Sequence, residues 1–313
     1  MAFSSALTSA VIFRNSTCFP RQQQWPILAQ GSWRKDVLNI QNKCREEDAE
    51  KFDEINRGHG IDEGLTYKPS HCQLVPFLNG LFVSALVRLN SSLILVGDSM
   101  VLGHMRHLQC HLHIAPSKCA DPLNQSQAAA QHVVCTLSNT AIRLVYVRMN
   151  RIPNHTTMSN VFMQYNVGPK DIAMFGWGPH YNFRYLQNFF KDLELLLAGS
   201  TSFWPQILWR QPLPQHFADS RDGFYTPKST NTSTPCGKIT DPRRNAQNMK
   251  AFESSLRQLL FPKSPLILQV NAPLIERFAE HTGLMRDCCH FLHESSAERF
   301  IATALFNAIL SRI

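Results

Sequence analysis

The chain has 313 residues, of which 44% are apolar and 17% are charged, so it can bury the core of one large globular domain or two smaller ones. Its formal net charge is +8, but the basic residues are scattered along the chain. Because the sequence has no arginine-rich stripe and no basic–aromatic repeat, we expect no nucleic-acid partner.

The predicted elements alternate between strands and helices after a polar, irregular segment at residues 1–75. The predicted strands are residues 92–97, 141–149, 171–178, 205–211 and 265–271. The predicted helices are residues 100–113, 185–199, 245–261 and 295–313, the last capped by Ser295 or Ser296. A long polar loop covers residues 218–242. Alternation of continuously apolar strands with helices predicts a parallel sheet that is covered on both faces.

The cysteines and the glycosylation sequons indicate a compartment. The chain has nine cysteines, an odd number, and no two of them have the C-x2-C spacing of a zinc site. N-x-S/T sequons begin at Asn15, Asn90, Asn124, Asn154 and Asn231. These features favour the secretory pathway, in the Golgi or outside the cell. The start of the chain is a poor signal peptide, so we expect membrane association only through an N-terminal anchor missing from this sequence.

Several candidate site residues follow predicted strands. Ligands bind beyond the carboxyl ends of parallel strands, and Ser99, residues 176–180 and Arg210 all lie at such ends. Ser99 also begins a predicted helix, whose backbone N–H groups can stabilise an oxyanion. The sequence leaves two interpretations open, a nucleophilic serine and an ordinary turn with a capping serine.

A base for this serine is available near the other end of the chain. Asp287 stands three residues before His290, a spacing that lets a carboxylate orient an imidazole toward a hydroxyl. Each motif alone is common. Their combination, G-D-S after the first predicted strand and D-x-x-H before the last helix, favours serine-dependent acyl chemistry.

The ordered set of motifs resembles the SGNH (GDSL-type) hydrolases, and most closely the PC-esterase branch with the plant trichome-birefringence-like polysaccharide O-acetyltransferases. The resemblance covers roughly residues 31–311. The stretches that carry it are GSW (31–33), YKPSHCQLVPF (67–77), LILVGDSMVLGHMRHLQC (93–110), DIAMFGWGPHY (171–181), LWRQPLPQHF (208–217) and RDCCH (286–290).

This resemblance implies a three-layer α/β/α sandwich with a parallel central sheet. The expected division is an extension at 1–30, a small N-terminal subdomain at 31–90 packed on the core, and a catalytic domain at 91–313. It implies transfer of an acyl group, preferably acetyl, to or from a hydroxyl of a polysaccharide or oligosaccharide. Ser99 would be the nucleophile, His290 the base and Asp287 its orienter.

The resemblance has further implications. It implies disulfides, with Cys236 and Cys288 as the preferred pair, and no cofactor or metal beyond an acyl donor such as acetyl-CoA or another acetyl ester. The alternatives are a carbohydrate acetylesterase that gives the acyl group to water and a catalytically weak glycan-binding protein.

The chain departs from the family around the oxyanion hole. Gly176 stands where the family has an asparagine donor, and loss of one such donor costs about 3 kcal/mol of transition-state stabilisation. Asn182 or the backbone N–H of Trp177 or Gly178 could substitute. Gly103, in the segment after the nucleophile, could supply a further backbone donor.

Other polar and aromatic residues allow two interpretations each. For His104, His107, His111 and His113, the alternatives are a metal site and ordinary histidines, buried or at the surface. His180 and His216 would bind substrate or hold a loop, and Arg210 would pair with an acid or a substrate oxygen. For Trp177, Tyr181 and Trp209, the alternatives are stacking on a sugar and packing in the core.

Overall fold

The fold was analysed in a computed structural model of the chain. The structure describes residues 31–35, 65–70, 72–114, 118–120, 132–137, 140–178, 186–198, 203–217, 221–224, 236–261, 265–278, 281–283, 287–291 and 295–312. Of the candidate site residues, His180, Tyr181 and Asn182 lie outside these ranges.

Eleven strands and seven helices lie in the described residues. The strands are β1 (Gly31–Lys35), β2 (Leu65–Pro69), β3 (Leu93–Gly97), β4 (Cys119–Ala120), β5 (His132–Thr136), β6 (Arg143–Arg148), β7 (Ile172–Gly176), β8 (Gln206–Arg210), β9 (Leu266–Leu268), β10 (His281–Gly283) and β11 (Asp287–Phe291). The helices are α1 (Asn79–Leu89), α2 (Ser99–His111), α3 (His155–Gln164), α4 (Leu186–Leu197), α5 (Pro242–Leu259), α6 (Asn271–Leu274) and α7 (Ser296–Leu310).

The central sheet has the strand order β4-β5-β6-β3-β7-β8-β9. The five strands from β6 to β9 in this order pair in parallel, whereas β5 is antiparallel to β6 and β4 is antiparallel to β5. The predicted α/β class is therefore confirmed, and the sheet that was predicted to be parallel is mostly parallel. The antiparallel edge was not predicted, because β4 and β5 lie in a part of the sequence that shows no strong apolar run.

Helices cover both faces of this sheet. Side chains alternate along β3, so that Leu93 and Leu95 lie in one core cluster and Ile94 and Val96 lie in the other. The first cluster includes apolar residues of α1, α2 and α7, and the second includes apolar residues of α3, α4 and α5. All five residues of β3 are buried, which explains why the strand reads as a continuous apolar run.

The N-terminal pair of strands packs on the last helix. β1 and β2 pair antiparallel, and the rings of Trp33 and Tyr67 lie 5.8 and 4.9 Å from the ring of Phe300 on α7. Trp33 also donates a hydrogen bond of 2.8 Å to the carbonyl of Pro273. Tyr67 belongs to the same core cluster as Leu93 and Leu95 of β3. The subdomain boundary at residue 90 stays a prediction.

The structure differs from the sequence prediction at several elements. The apolar pattern of the sequence predicts no element at 79–89 or 155–164, where α1 and α3 lie. It also makes residues 265–271 one strand, but β9 ends at Leu268 and α6 begins at Asn271. α3 contains β-branched and polar residues with low helix propensity, and it is held by the side chain of Asn154, which accepts the N–H of Thr157 at 2.9 Å.

Disulfides cross-link the described part of the chain. Cys119 is joined to Cys135, and Cys236 is joined to Cys288, the pair that the resemblance implied. Cys110 is also disulfide-bonded. Such bonds are typical of an oxidising environment, as in secreted or extracellular proteins. Among the described helices, none combines the length and the apolar character needed to cross a membrane.

Candidate active site

Ser99 is placed by a tight passage from β3 into α2. A Cβ added to Gly97 would overlap the carbonyl oxygen of Gly176 and lie 2.6 Å from a methyl group of Val101, so only glycine fits at the end of β3. Asp98 is the N-cap of α2, and its side chain accepts the N–H of Met100 at 3.1 Å. Ser99 is therefore the first residue of the helix and not its cap.

The carboxylate of Asp98 holds two parts of the site together. Its second oxygen accepts the N–H of Gly178 at 2.8 Å, and the hydroxyl of Tyr146 donates to the Asp98 carbonyl at 3.1 Å. Asp98 is fully buried. Since this residue performs the capping, the hydroxyl of Ser99 is left to interact elsewhere.

Ser99 and His290 are brought together across the fold. Oγ of Ser99 lies 2.7 Å from Nε2 of His290, although 191 residues separate them in sequence. Both residues are partly buried. With Nε2 unprotonated, the Ser99 hydroxyl donates to it, which is the arrangement in which an imidazole can accept the proton of a serine nucleophile.

A bulge in β11 orients His290. In the β10–β11 hairpin, His281 pairs with Phe291 and Gly283 pairs with Asp287, so three residues of β11 face a single residue of β10. A regular strand would point positions 287 and 290 to opposite faces, and a bulge changes the direction of the side chains within it. The side chain of Asp287 lies outside what the structure describes, so its role as the orienter of His290 stays a prediction.

Two of the expected backbone donors are already engaged. The N–H of Gly178 is bonded to Asp98. Gly103 lies inside α2, where the regular helical pattern assigns its N–H to the carbonyl of Ser99. The expectation that either N–H completes the oxyanion hole is therefore not supported. The N–H of Ser99 belongs to the first turn of the helix, which has no acceptor within the helix, and it remains suitable.

Arg210 lies at the end of β8, next to Gly176 at the end of β7. It is 1% exposed, and its three guanidinium nitrogens have no hydrogen-bond partner among the described residues. Burial lowers the pKa of Arg210, and the carboxylates of Asp98 and Glu298 oppose that shift. Among the described residues, no acid pairs directly with Arg210, so the first of its two predicted roles, pairing with an acid, is not seen there.

The histidines of α2 have separate environments. Nδ1 of His104 lies 2.6 Å from a carboxylate oxygen of Glu298 on α7, and both side chains are buried. The rings of His107 and His111 contact each other at an interplanar angle of 37°, with centroids 4.2 Å apart. Within the described ranges, no three side chains of the metal-binding types form a group that could hold a metal ion.

A second buried histidine pair supports the hairpin that carries His290. Nδ1 of His216 lies 2.6 Å from Nε2 of His281, and Nε2 of His216 lies 2.8 Å from the carbonyl oxygen of Ile275. His281 in turn bonds through Nδ1 to the His290 carbonyl at 3.0 Å. Burial lowers the pKa of His216 to about 4. This position gives His216 a role in holding a loop and β11, rather than in contacting a substrate directly.

The tryptophans near the strand ends belong to the core. Trp177 and Trp209 are 3% and 2% exposed, and both rings lie 5.3 Å from the ring of Phe175. The indole N–H of Trp177 donates to the carbonyl of Met149 at 3.0 Å. Neither ring is available for stacking on a sugar, so the packing alternative holds for both.

Sequence reasoning missed Glu298 and His281. Ser295 and Glu298 match the S-x-x-E pattern of a capping box, and Ser295 does accept the N–H of Glu298 at 3.3 Å. The carboxylate, however, turns to His104 on another helix. His281 lies in a segment without periodicity. No local signal indicates either long-range contact.

No protein-family model matches this chain, and no curated protein matches it significantly in sequence. The resemblance to the SGNH superfamily therefore stays a prediction from the short motifs.

Proposed function

We propose that this protein is a serine-dependent acyltransferase or esterase of the SGNH type, with Ser99 as nucleophile and His290 as general base. The observation that carries the proposal is the 2.7 Å contact between Oγ of Ser99 and Nε2 of His290. A serine at the first position of a helix, with an imidazole in hydrogen-bond range, has the nucleophile–base arrangement of covalent catalysis.

The proposed reaction has two halves. Oγ of Ser99 bonds to the carbonyl carbon of the acyl donor while its proton moves to Nε2 of His290. The bond from the acyl carbon to the leaving group then breaks, C–O for an ester donor or C–S for acetyl-CoA, and His290 returns the proton to the leaving alcohol or thiol. In the second half, a hydroxyl gives its proton to His290 as its oxygen bonds to the acyl carbon. The bond between that carbon and Oγ of Ser99 then breaks, and His290 returns the proton to Oγ. Asp287 is the proposed orienter of His290 throughout.

The proposed acceptor is a hydroxyl of a polysaccharide or oligosaccharide, and the proposed acyl group is acetyl. The support for both is the motif resemblance to polysaccharide O-acetyltransferases, which is carried by residues 31–311. Disulfides and the exposed sequon asparagines Asn90 and Asn154 fit a glycoprotein of the secretory pathway, with the Golgi as the proposed location. The donor is a co-substrate, such as acetyl-CoA or another acetyl ester, and no resident cofactor is proposed.

Acetate release from an activated acetyl ester tests this function. We expect purified protein to hydrolyse 4-nitrophenyl acetate and Ser99→Ala to abolish the activity. Ser84→Ala is the matched control, because Ser84 is exposed on α1. Activity that survives Ser99→Ala would remove Ser99 from the mechanism.

Adding oligosaccharide acceptors separates transfer from hydrolysis. For a transferase, acetylated sugar accumulates in a Ser99-dependent manner and acetate release falls. For an esterase, acetate release is unaffected by the acceptor. A protein that binds glycans but shows neither activity would contradict the enzymatic proposal.

A further inference from the structure

The guanidinium group of Arg210 occupies the space that a side chain at position 176 would need. A Cβ added to Gly176 would lie 2.9 Å from Cζ of Arg210 and closer still to Nε and Nη2. An asparagine at this position would therefore collide with Arg210 unless the guanidinium moved. Gly176 and Arg210 form one structural unit, in which the arginine fills the place of the missing side chain.

This unit lies on the face of the sheet that carries Ser99. Leu208 belongs to the core cluster under α2, and side chains alternate along a strand, so Arg210 points to the same side as Leu208. β7, which ends at Gly176, lies between β8 and β3. The guanidinium packs against Gly176, which is the register partner of Gly97 on β3, two residues before Ser99.

The donors of Arg210 are unused in the described part of the structure. Its nitrogens are buried and make no hydrogen bond there, although Asp98 and Glu298 are close enough to favour its charge. Buried donors without partners are costly, and native proteins retain few of them. Unused, pre-positioned N–H groups are what stabilisation of a developing negative charge requires.

We propose that Arg210 replaces the missing asparagine as the side-chain donor of the oxyanion hole, an inference that rests on the proposed function. As Oγ of Ser99 bonds to the acyl carbon, the electron pair of the carbonyl moves to its oxygen. Arg210, together with the N–H of Ser99, donates hydrogen bonds to this oxygen, and the pair returns when the leaving C–O bond breaks. Arg210 keeps its protons throughout. The same group binds the carboxylate of the acetate product.

Kinetics of Arg210 variants test this role. We expect Arg210→Met, which keeps much of the volume, to lower kcat for 4-nitrophenyl acetate roughly 100-fold or more with little change in KM. Arg143→Met is the matched control, because Arg143 lies at the opposite end of the parallel strands, at the start of β6, and we expect wild-type kinetics from it. Wild-type kcat in a folded Arg210→Met protein would overturn the inference.

Changes at position 176, alone and in combination with loss of the arginine, give a second test. Gly176→Ala should push the guanidinium aside and lower kcat at least about tenfold. In an Arg210→Ala background, Gly176→Asn should restore about tenfold or more of the lost activity, because the truncated side chain leaves room for the amide donor. Wild-type activity in Gly176→Ala would contradict the inference, as would a double variant no better than Arg210→Ala.

Acetate binding separates failure of this inference from failure of the proposed function. If the wild-type protein has no Ser99-dependent esterase activity, the proposed function fails, and the acetate titration then decides on Arg210 by itself. We expect sodium acetate, compared with sodium chloride at equal ionic strength, to raise the Tm of wild-type protein and Ser99→Ala. It should not raise the Tm of Arg210→Met or Gly176→Ala. Equal shifts in all four proteins, or none in wild type, would overturn the assignment of an anion site at Arg210.

Discussion

The carboxylate of Asp98 accepts the N–H of Gly178 at 2.8 Å, so one side chain both caps the helix of Ser99 and fixes the segment that follows β7. The turn at Ser99 is therefore joined, through the Asp98 side chain, to the segment that follows β7. This connection explains how a serine that follows a strand is held at the edge of the sheet with its hydroxyl directed to His290.

Asp98→Asn should lower the free energy of unfolding by about 2 kcal/mol, because an amide has one acceptor oxygen for the two N–H groups of Met100 and Gly178. Asp241→Asn is the matched control. Asp241 caps α5 and accepts the single N–H of Arg244, so an asparagine should serve as well there and change stability by less than about 0.5 kcal/mol. Urea unfolding measures both values, and equal effects of the two variants would contradict the dual role of Asp98.

Gly97→Ala should destabilise the fold by at least about 3 kcal/mol, because the new Cβ overlaps a backbone oxygen of Gly176 that cannot move without breaking the sheet. Gly80→Ala provides the control. A Cβ at Gly80, in the first turn of α1, meets nothing within 4 Å, so this change should be neutral or stabilise by up to about 1 kcal/mol. A well-folded Gly97→Ala protein of wild-type Tm would show that β3 and β7 are further apart than the structure has them.

Loss of the Cys236–Cys288 disulfide should reduce activity as well as stability. The bond joins residues 52 positions apart, and loss of chain entropy in the unfolded state predicts a stabilisation of about 4 kcal/mol. Cys288 also stands two residues before His290 in β11, so the bond helps to position the base. The Cys119→Ser/Cys135→Ser protein is the comparison. It loses a disulfide with a 16-residue separation, worth about 3 kcal/mol, at the β4–β5 edge of the central sheet. Assayed well below either Tm, only the first double variant should lose esterase activity. Equal activities would show that β11 keeps His290 in place without the bond.

Acidification should destabilise the protein through His216. Burial lowers the pKa of this residue from 6.5 to about 4, so between these values the unfolded chain binds a proton that the folded protein does not. Stability from this group is complete above pH 6.5 and is lost as the pH falls toward 4, by roughly 3 kcal/mol at most.

Denaturant unfolding at a series of pH values measures this loss, and His216→Gln should show a smaller decrease over the same interval. A stability that rises on acidification would contradict the expectation. It would indicate instead that His216 and His281, whose facing nitrogens are 2.6 Å apart, take up a shared proton in the folded state.

The sequence allowed the α/β class, most elements of the parallel sheet and the Ser99–His290 pair to be predicted. These features depend on apolar runs and on motifs that are visible locally. The contact between Gly176 and Arg210 depends instead on the neighbouring positions of β7 and β8, whose ends stand 34 residues apart in the chain. No periodicity indicates that an arginine fills the space beside a glycine.

The pairing of His104 with Glu298 shows the same limit. The four histidines of the predicted helix at 100–113 allowed a shared metal site as one interpretation, but tertiary packing gives His104 a partner 194 residues away. The resemblance suggested several oxyanion donors, and only the hydrogen bonds of the folded chain show that Gly178 is already engaged.

Mass spectrometry of the protein after reaction with a fluorophosphonate tests the central claim, an activated Ser99, most directly. This reagent forms a stable adduct with serine nucleophiles that are activated by a base. We expect one adduct per chain, mapped to the peptide that contains Ser99, absent in Ser99→Ala and formed much more slowly in His290→Gln. An unmodified Ser99 in folded wild-type protein, or equal labelling of His290→Gln, would contradict it.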